Sequence, residues 1–597
     1  MKPVVNNFNI AVATVNGSGS ISANMALVRS FLNMGVPAYG KNFFPSNISG
    51  MPTLFTMRVS EQGWAARARD AQICVAMCEA TYEQDIADLK PGSMVIYNDA
   101  FPLREQRADL FMYPLPVNPL AGKVTAEPKL KKLLANMVYL GALQELLGLE
   151  QEAVERAIST QFAGKAKAVA LNVQALNQGR DHVREHIQKI DPYRVERRDI
   201  AVDKILIDGN SACAMGAMFA GCTVLAWYPI TPASTVSETF ISMAAKYRHE
   251  ADGKATYAVV QAEDELSSLG MVVGAGWTGA RAMTSTSGPG ISLMSEITGL
   301  AYFTETPGVI FDVQRSGPST GSPTRTQQSD LMMLAFLSHG DTQHIALIPH
   351  TVSECFEMSI QAFELAERFQ TIVFVVTDLD LGMNYWASDA FTYPEKPIDR
   401  GKVLSAEDID RIGSFARYKD VDGDGIPYRT LPGNPHPKAP WVARGSGHDE
   451  RAIRTENPQA YADMLDRLTK KFETARGEVP APVVRNGPDG GIGIIGYGTS
   501  HYAIEEARAL LAQKGIETSY LRLRALPISR EVDKFLAAHE HTYVVEQNQS
   551  GQLEQLLRIH NPGLATRCRG VRHYTTMPMD AETVVEKILA FEKEASK

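Results

Sequence analysis

Three acidic residues in a row, Glu263, Asp264 and Glu265, close the run QAEDE (261–265) at the mouth of an apolar, glycine-containing stretch that reads as a helix over 265–277. First-turn acids stabilise a helix dipole, which accounts for Glu263 and Asp264. Glu265 leads directly into the apolar run. A buried carboxylate is costly without a partner, so Glu265 is the candidate acid–base group. The run WYPITPAS (227–234) follows a strand, and its two prolines restrict the backbone on either side of Thr231. Such a loop holds a hydroxyl above the C-terminal edge of a sheet, where open α/β sheets bind ligands. A purely structural loop is an equal reading of those residues. MTSTSGPG (283–290) and RSGPSTGSPTR (315–325) also follow strands. Their backbone donors, hydroxyls and two guanidinium groups, Arg315 and Arg325, suit an oxyanion or a carboxylate.

Other motifs carry less chemistry. GSGSIS (17–22) lies between a strand and a helix, but the third glycine of a dinucleotide fingerprint is missing, so a tight structural turn is expected. DVDGDG (420–425) contains the Gly-Asp-Gly that opens a thiamine diphosphate–magnesium motif, yet the chain's only Asn-Asn is Asn6-Asn7. The same run starts like a calcium loop, but position 12 is Leu431 where a bidentate Glu is needed, so a surface turn is expected, with a weak structural cation as the alternative. The six cysteines are scattered, and CVAMC (74–78) matches neither a zinc ribbon nor an iron–sulfur run. Reduced, buried thiols and a cytoplasmic location are expected.

These residues must be positioned by alternating strands and helices. The 597 residues, 44% hydrophobic and 21% charged, suit several globular domains, and a net charge of −9 gives no footprint for nucleic acid or an anionic membrane. Apolar runs such as TIVFVVT (371–377) are strand-sized and too short to span a membrane. Strands at 8–15, 72–77 and 93–97, a helix over 20–34 and helices through 129–178 describe a first α/β domain, 1–190, closed by a charged stretch at 180–200. Strands near 205–208, 222–227, 257–260, 281–284, 308–314, 344–348 and 371–377 describe a second, 200–390. A Pro-, Gly- and charge-rich arm and linker fill 391–485, with a helix near 457–476 and the stretch EVPAPVVRNGPD at 479–490. A third α/β unit, 486–597, has strands at 491–497, 517–523 and 541–546 and a helix over 502–514.

YPITPAS (228–234), EDE (263–265), TSTSGPG (284–290) and RSGPSTGSPTRTQQSDL (315–331) occur in an order that resembles the α subunit of 2-oxoacid:ferredoxin oxidoreductases, in the form with the γ domain fused at the N-terminus. DGIPYRTLPG (424–433), ARGSGHDE (443–450) and EQNQSGQL (546–553) resemble the 2-oxoglutarate branch, and PSNISGMPT (45–53) fits the γ domain. The resemblance implies a multi-domain α/β protein: a γ-type domain, a thiamine diphosphate pyrimidine-binding domain and a transketolase C-terminal-like domain. It implies thiamine diphosphate shared with a β subunit that carries Mg²⁺ and a [4Fe-4S] cluster, with coenzyme A as co-substrate, ferredoxin as acceptor and a dimer of αβ heterodimers. Glu265 would activate the cofactor. Tyr228, Pro229, Ile230, Ser287 and Gly288 would line its site, and Thr231, Arg315, Thr324 and Arg325 would hold the 2-oxoacid. The implied reaction converts 2-oxoglutarate and coenzyme A to succinyl-CoA and CO2, and needs the β subunit. A pyruvate or broad 2-oxoacid enzyme and a non-redox transketolase-like subunit are the alternatives.

Overall fold

A computed structural model describes residues 2–45, 50–102, 107–487 and 491–595. Positions 46–49 of the PSNISGMPT run and 488–490 of the linker lie outside these. The chain divides into two compact units, one of residues 1–207 with 384–390, the other of 208–383 with 391–597.

The first unit is built on a six-stranded sheet in the order Ala38–Phe43, Pro52–Ser60, Asn7–Val15, Ile73–Ala76, Met94–Asn98 and Phe111–Leu115. The last four strands are parallel to one another, and the first three pair antiparallel. Its core gathers Ile10, Val12, Phe31, Phe55, Val75 and Leu140 from the sheet and from the helices Ser20–Asn33 and Pro128–Leu147. Within GSGSIS, Gly17 and Gly19 take the left-handed conformation (φ 81° and 82°), and a Cβ on Gly19 would strike Leu133 Cδ2 at 2.6 Å. Asn136 Nδ2 donates to the Ser18 carbonyl at 2.7 Å and Thr14 Oγ1 to Ser20 Oγ at 2.9 Å, so the turn is packed by its own chain. The charged stretch after 180 begins inside the helix Ala166–His186.

The second unit carries a seven-stranded sheet in the order Ala258–Gln261, Val224–Trp227, Ala282–Thr286, Gly308–Gln314, Ile372–Asp378, Ile345–Leu347 and Ala525–Leu526. All pairs but the last are parallel. The runs AMTST, GVIFDVQ and IVFVVTD are buried at every residue, as parallel strands covered on both faces must be. From the strand Val224–Trp227 the chain crosses to Ala258–Gln261 on one side, then returns to Ala282–Thr286 on the other. The order therefore reverses there, and the crevice outside those carboxyl ends is the place where open α/β sheets take ligands. A five-stranded sheet follows, ordered Val483–Arg485, Thr518–Leu523, Ile492–Tyr497, His541–Glu546 and Cys568–Arg572.

Residues 391–482 hold two helices, Ala406–Ile412 and Pro458–Arg476, and a set of buried charges. Wholly buried Glu305 accepts hydrogen bonds from Arg467 and from Lys471 Nζ (2.9 Å). Glu367 meets Arg281 at 2.8 Å, Arg400 at 3.0 Å and Arg429 at 3.2 Å. In DVDGDG, Asp420 accepts from the amides of Gly423, Asp424 and Gly425, while Lys402 Nζ lies 2.6 Å from Asp422 and 2.9 Å from Asp424. A lysine ammonium thus meets two of the acids of this loop. All six cysteines are buried and unbridged. Among the described residues, no helix is long and apolar enough to cross a membrane.

Candidate active site

The carboxyl ends of four adjacent strands bring the candidate residues together. The strand Val224–Trp227 runs into YPITPAS, where Tyr228 and Pro229 are exposed, Ile230 is half-buried and Thr231 is exposed. Ser234 Oγ accepts from the Ile230 amide at 3.0 Å and fixes the loop against the next helix. The Thr231–Pro232 and Gly317–Pro318 peptide bonds are cis.

Asp264 caps the helix Glu265–Trp277, its Oδ1 accepting from the Ser267 amide at 2.7 Å. The Ser267 hydroxyl first, and then this amide, hold the Asp264 carboxyl below its ordinary range. Capping by Asp264 leaves Glu265 as the first helical residue, turned inward and 6% exposed, while Glu263 faces solvent. A helix N-terminus stabilises such a carboxylate. Glu265 lies against the next crossover: a Cβ on Gly290 would come within 1.9 Å of Thr286 Oγ1 and 2.6 Å of Glu265 Cγ. The glycine of TSTSGPG is thus required by close approach. Ser287, fully buried, caps the helix Gly288–Thr304, and its hydroxyl has no partner, nor has that of Thr284.

Arg315 follows the strand Gly308–Gln314. Its Nη1 donates to the Thr231 carbonyl at 2.7 Å, tying the two loops, while its buried Nε has no partner. Burial pulls the guanidinium below its usual pKa, and the nearby Glu265 and Asp330 charges pull it back up. Thr324 and Arg325 bond to one another, Arg325 Nη1 donating to the Thr324 carbonyl at 2.9 Å and its hydroxyl at 3.2 Å. Their loop is held to Arg315's by the Ser316 amide, which donates to the Arg325 carbonyl at 2.9 Å.

Three residues of this region escape a reading by motif. Asp312, inside the strand Gly308–Gln314, is wholly buried, and neither carboxylate oxygen has a partner. Burial first, then the neighbouring Asp330, push its pKa well up. Asp330 is pushed by burial to about 7 against the pull of Arg315. Gln328 is a hub: its amide donates towards Asp378 and the Tyr497 carbonyl at 3.3 Å, and its carbonyl accepts from Asn548 Nδ2 at 2.8 Å. Through it EQNQSGQL clamps the loop that bears Arg315. The signal in sequence was an acid amid apolar strand residues (GVIFDVQ), where nothing polar is otherwise tolerated.

A cleft of about 640 Å³ opens over these groups, lined by Gly288, Arg315, Gln327, Asp330, Asn548 and Gln552. The Arg315 guanidinium and the amide side chains of this lining fit a polar, anionic ligand.

The family pattern "Pyruvate flavodoxin/ferredoxin oxidoreductase, thiamine diP-bdg" matches residues 215–388, and "Pyruvate ferredoxin/flavodoxin oxidoreductase" matches 9–182. The α subunit of 2-oxoacid:ferredoxin oxidoreductase 2 from Aeropyrum pernix is 31% identical over 93% of both chains. The chain belongs to the 2-oxoacid:ferredoxin oxidoreductase α-subunit family. As a member of that family it is an oxidoreductase subunit, and its thiamine diphosphate-binding region contains Glu265, Thr231, Ser287 and Arg315. The 2-oxoglutarate synthase subunit KorA from Methanothermobacter marburgensis is 35% identical, matching 60% of this α subunit and 91% of its own length. A solved 2-oxoglutarate:ferredoxin oxidoreductase from Magnetococcus marinus, with 2-oxoglutarate, coenzyme A and succinyl-CoA bound, superposes with a TM-score of 0.88 at 28% identity, covering 98% of this chain and 99% of that one.

Proposed function

We propose that this chain is the α subunit of a 2-oxoglutarate:ferredoxin oxidoreductase. With a β subunit that supplies Mg²⁺ and a [4Fe-4S] cluster, it converts 2-oxoglutarate and coenzyme A to succinyl-CoA and CO2 and passes two electrons to ferredoxin. The observation that carries this reading is the meeting of Glu265 and Arg315 at the point where the strand order reverses, below the Thr231 loop. Thiamine diphosphate, when bound, supplies a carbon acid able to attack a 2-oxo carbon and to hold the electrons left by decarboxylation. Glu265 holds a proton at a ring nitrogen of the cofactor's aminopyrimidine and thereby adjusts its basicity. Gly288 borders the site, Ser287 offers a hydroxyl, and Tyr228, Pro229 and Ile230 wall it, while Gly290 lets Glu265 pack against Thr286. Arg315 takes the substrate's carboxylate, whose planar pair of oxygens matches a guanidinium fork. Thr231 directs the substrate through its hydroxyl, and Thr324 and Arg325 close the other side.

The β subunit docks over this edge. The helices Glu265–Trp277 and Gly288–Thr304 keep Leu266, Met271, Leu293 and Leu300 exposed, and Gly270 and Gly274 have open space where a Cβ would stand. Apolar patches of that kind mark protein contacts. The whole assembles as a dimer of αβ heterodimers. The test is co-purification with the β subunit, followed by viologen reduction with a panel of 2-oxoacids. Rapid turnover of 2-oxoglutarate over pyruvate is expected; a preference for pyruvate would assign the chain to a pyruvate or broad-specificity enzyme. A complex without redox activity would assign it to a transketolase-like one.

A further inference from the structure

Asp312 and Asp330 are two neighbouring buried acids, and Arg315 is the cation that acts on Asp330. Asp312 sits at the centre of its sheet, level with Thr286 on one side and Val376 on the other. Asp330 is held to the same strand, its amide donating to Gln314 Oε1 at 3.0 Å. Its carboxylate oxygens lie 2.9 Å from where a Gly288 Cβ would stand, and it lines the cleft beside Arg315. Asp330 Oδ2 and both oxygens of Asp312 are buried without partners. Two carboxylates so placed cannot both ionise cheaply, so the pair retains a proton.

We infer that Asp330, backed by Asp312, is a positioning residue for Arg315: protonated, it leaves the guanidinium to the substrate's carboxylate, and ionised, it draws the guanidinium into an internal ion pair. This rests on the reading of Arg315 as the 2-oxoacid anchor. The geometry gives Arg315 both alternatives. Nη1 is fixed on the Thr231 carbonyl, while Nε, turned into the protein, waits for an acceptor. Burial favours the protonated form of both acids. Asp330 faces Tyr497 of the five-stranded sheet, while Glu265 acts on Arg315, Asp378 bonds to Gln328 and Glu546 acts on Tyr497. Arg315 is the opposing cation. Burial raises the Asp330 carboxyl to about 7 against the pull of Arg315, inside the pH span of the test.

The test uses the αβ complex and the 2-oxoacid it turns over best, with steady-state kinetics from about pH 6 to about pH 8. Competition between Asp330 and substrate for one guanidinium raises the wild-type KM roughly tenfold over that span, with kcat little changed. Asp330→Asn, a mimic of the protonated acid, is expected to keep the low-pH KM throughout. Asp312, the more strongly raised of the two, keeps its proton across this span, so Asp312→Asn is expected to leave the rise where it is. Identical profiles in wild type and Asp330→Asn overturn the inference. If Asp330→Asn does not fold, as judged by circular dichroism, the wild-type profile decides: a KM unchanged across the span overturns the inference. Arg315→Ala separates the two levels. An unchanged KM in that variant removes the anchor reading itself. A KM raised about 10²-fold while Asp330→Asn keeps the wild-type profile removes only the role of Asp330.

Discussion

Two buried carboxylates seven residues apart in sequence, Glu305 and Asp312, are handled in opposite ways. Glu305, at the base of the arm, is enclosed by Arg467 and Lys471. Burial alone would raise its pKa, but those two cations hold it down to about 2. Asp312, in the strand beside the cleft, is enclosed by apolar neighbours and a second acid, and its pKa rises. A charge that serves the fold is given its counter-ions within the chain. A group left without them, at the edge where ligands bind, is held ready for something that arrives later.

The sharpest way to break that contrast is Glu265→Gln. In the αβ complex, turnover and cofactor proton exchange are expected to fall about 10²–10⁴-fold, while the thermal midpoint stays near wild type. Wild-type exchange would remove Glu265 from the chemistry. Glu305→Gln is the converse. Leaving Lys471 and Arg467 buried and under-compensated is expected to cost about 3–5 kcal/mol in stability, read by denaturant titration, with the KM of the folded fraction unchanged. Asp312→Asn, by contrast, is expected to cost little or to stabilise.

Gly290→Ala tests position without altering a charge. The added methyl overlaps Thr286 and Glu265, and a displacement of Glu265 by about 1 Å is expected to lower kcat about 10²-fold. The next effect is one of pH. Glu305 is depressed from its ordinary value of 4.5 to about 2, so its contribution is fully present above 4.5 and lost as pH falls through 2. The stability gap between wild type and Glu305→Gln is expected to be widest at neutral pH and to close near pH 2. The smallest effect concerns DVDGDG. With Lys402 already between Asp422 and Asp424, millimolar calcium is expected to leave the thermal midpoint unmoved, and Lys402→Met to cost about 0–1 kcal/mol. A calcium-induced rise would show that the lysine yields to a metal.

Much of the frame was legible because buried parallel strands and amphipathic helices announce themselves. The helix Glu265–Trp277 and the strand Gly308–Gln314 stand where the apolar pattern puts them. The antiparallel pair Ala38–Phe43 and Pro52–Ser60 was missed, since AYGKNF carries a glycine and a lysine and alternates only weakly. In the site, Glu265 and Arg315 could be named from local sequence because each opens or closes an element. Asp330 could not. What makes it matter is the convergence of Gln314, Gly288 and Arg315 on one spot, and no stretch of sequence records a convergence. Gln328 escaped for the same reason, since its partners come from near residues 378, 497 and 548.

The short segment 384–390 belongs to the first unit although the residues on either side belong to the second. Within it, the strand Tyr385–Ser388 pairs with Ile205–Asp208, and Trp386 carries Lys41 over its ring at 4.5 Å. A cut after residue 207 would therefore release a fragment with a naked β edge and without the ring that lies under Lys41. Exposed edges recruit other chains. Any gene that encodes this N-terminal portion as a separate polypeptide has to provide its own replacement for that seven-residue patch, and an expression fragment without one is expected to clump.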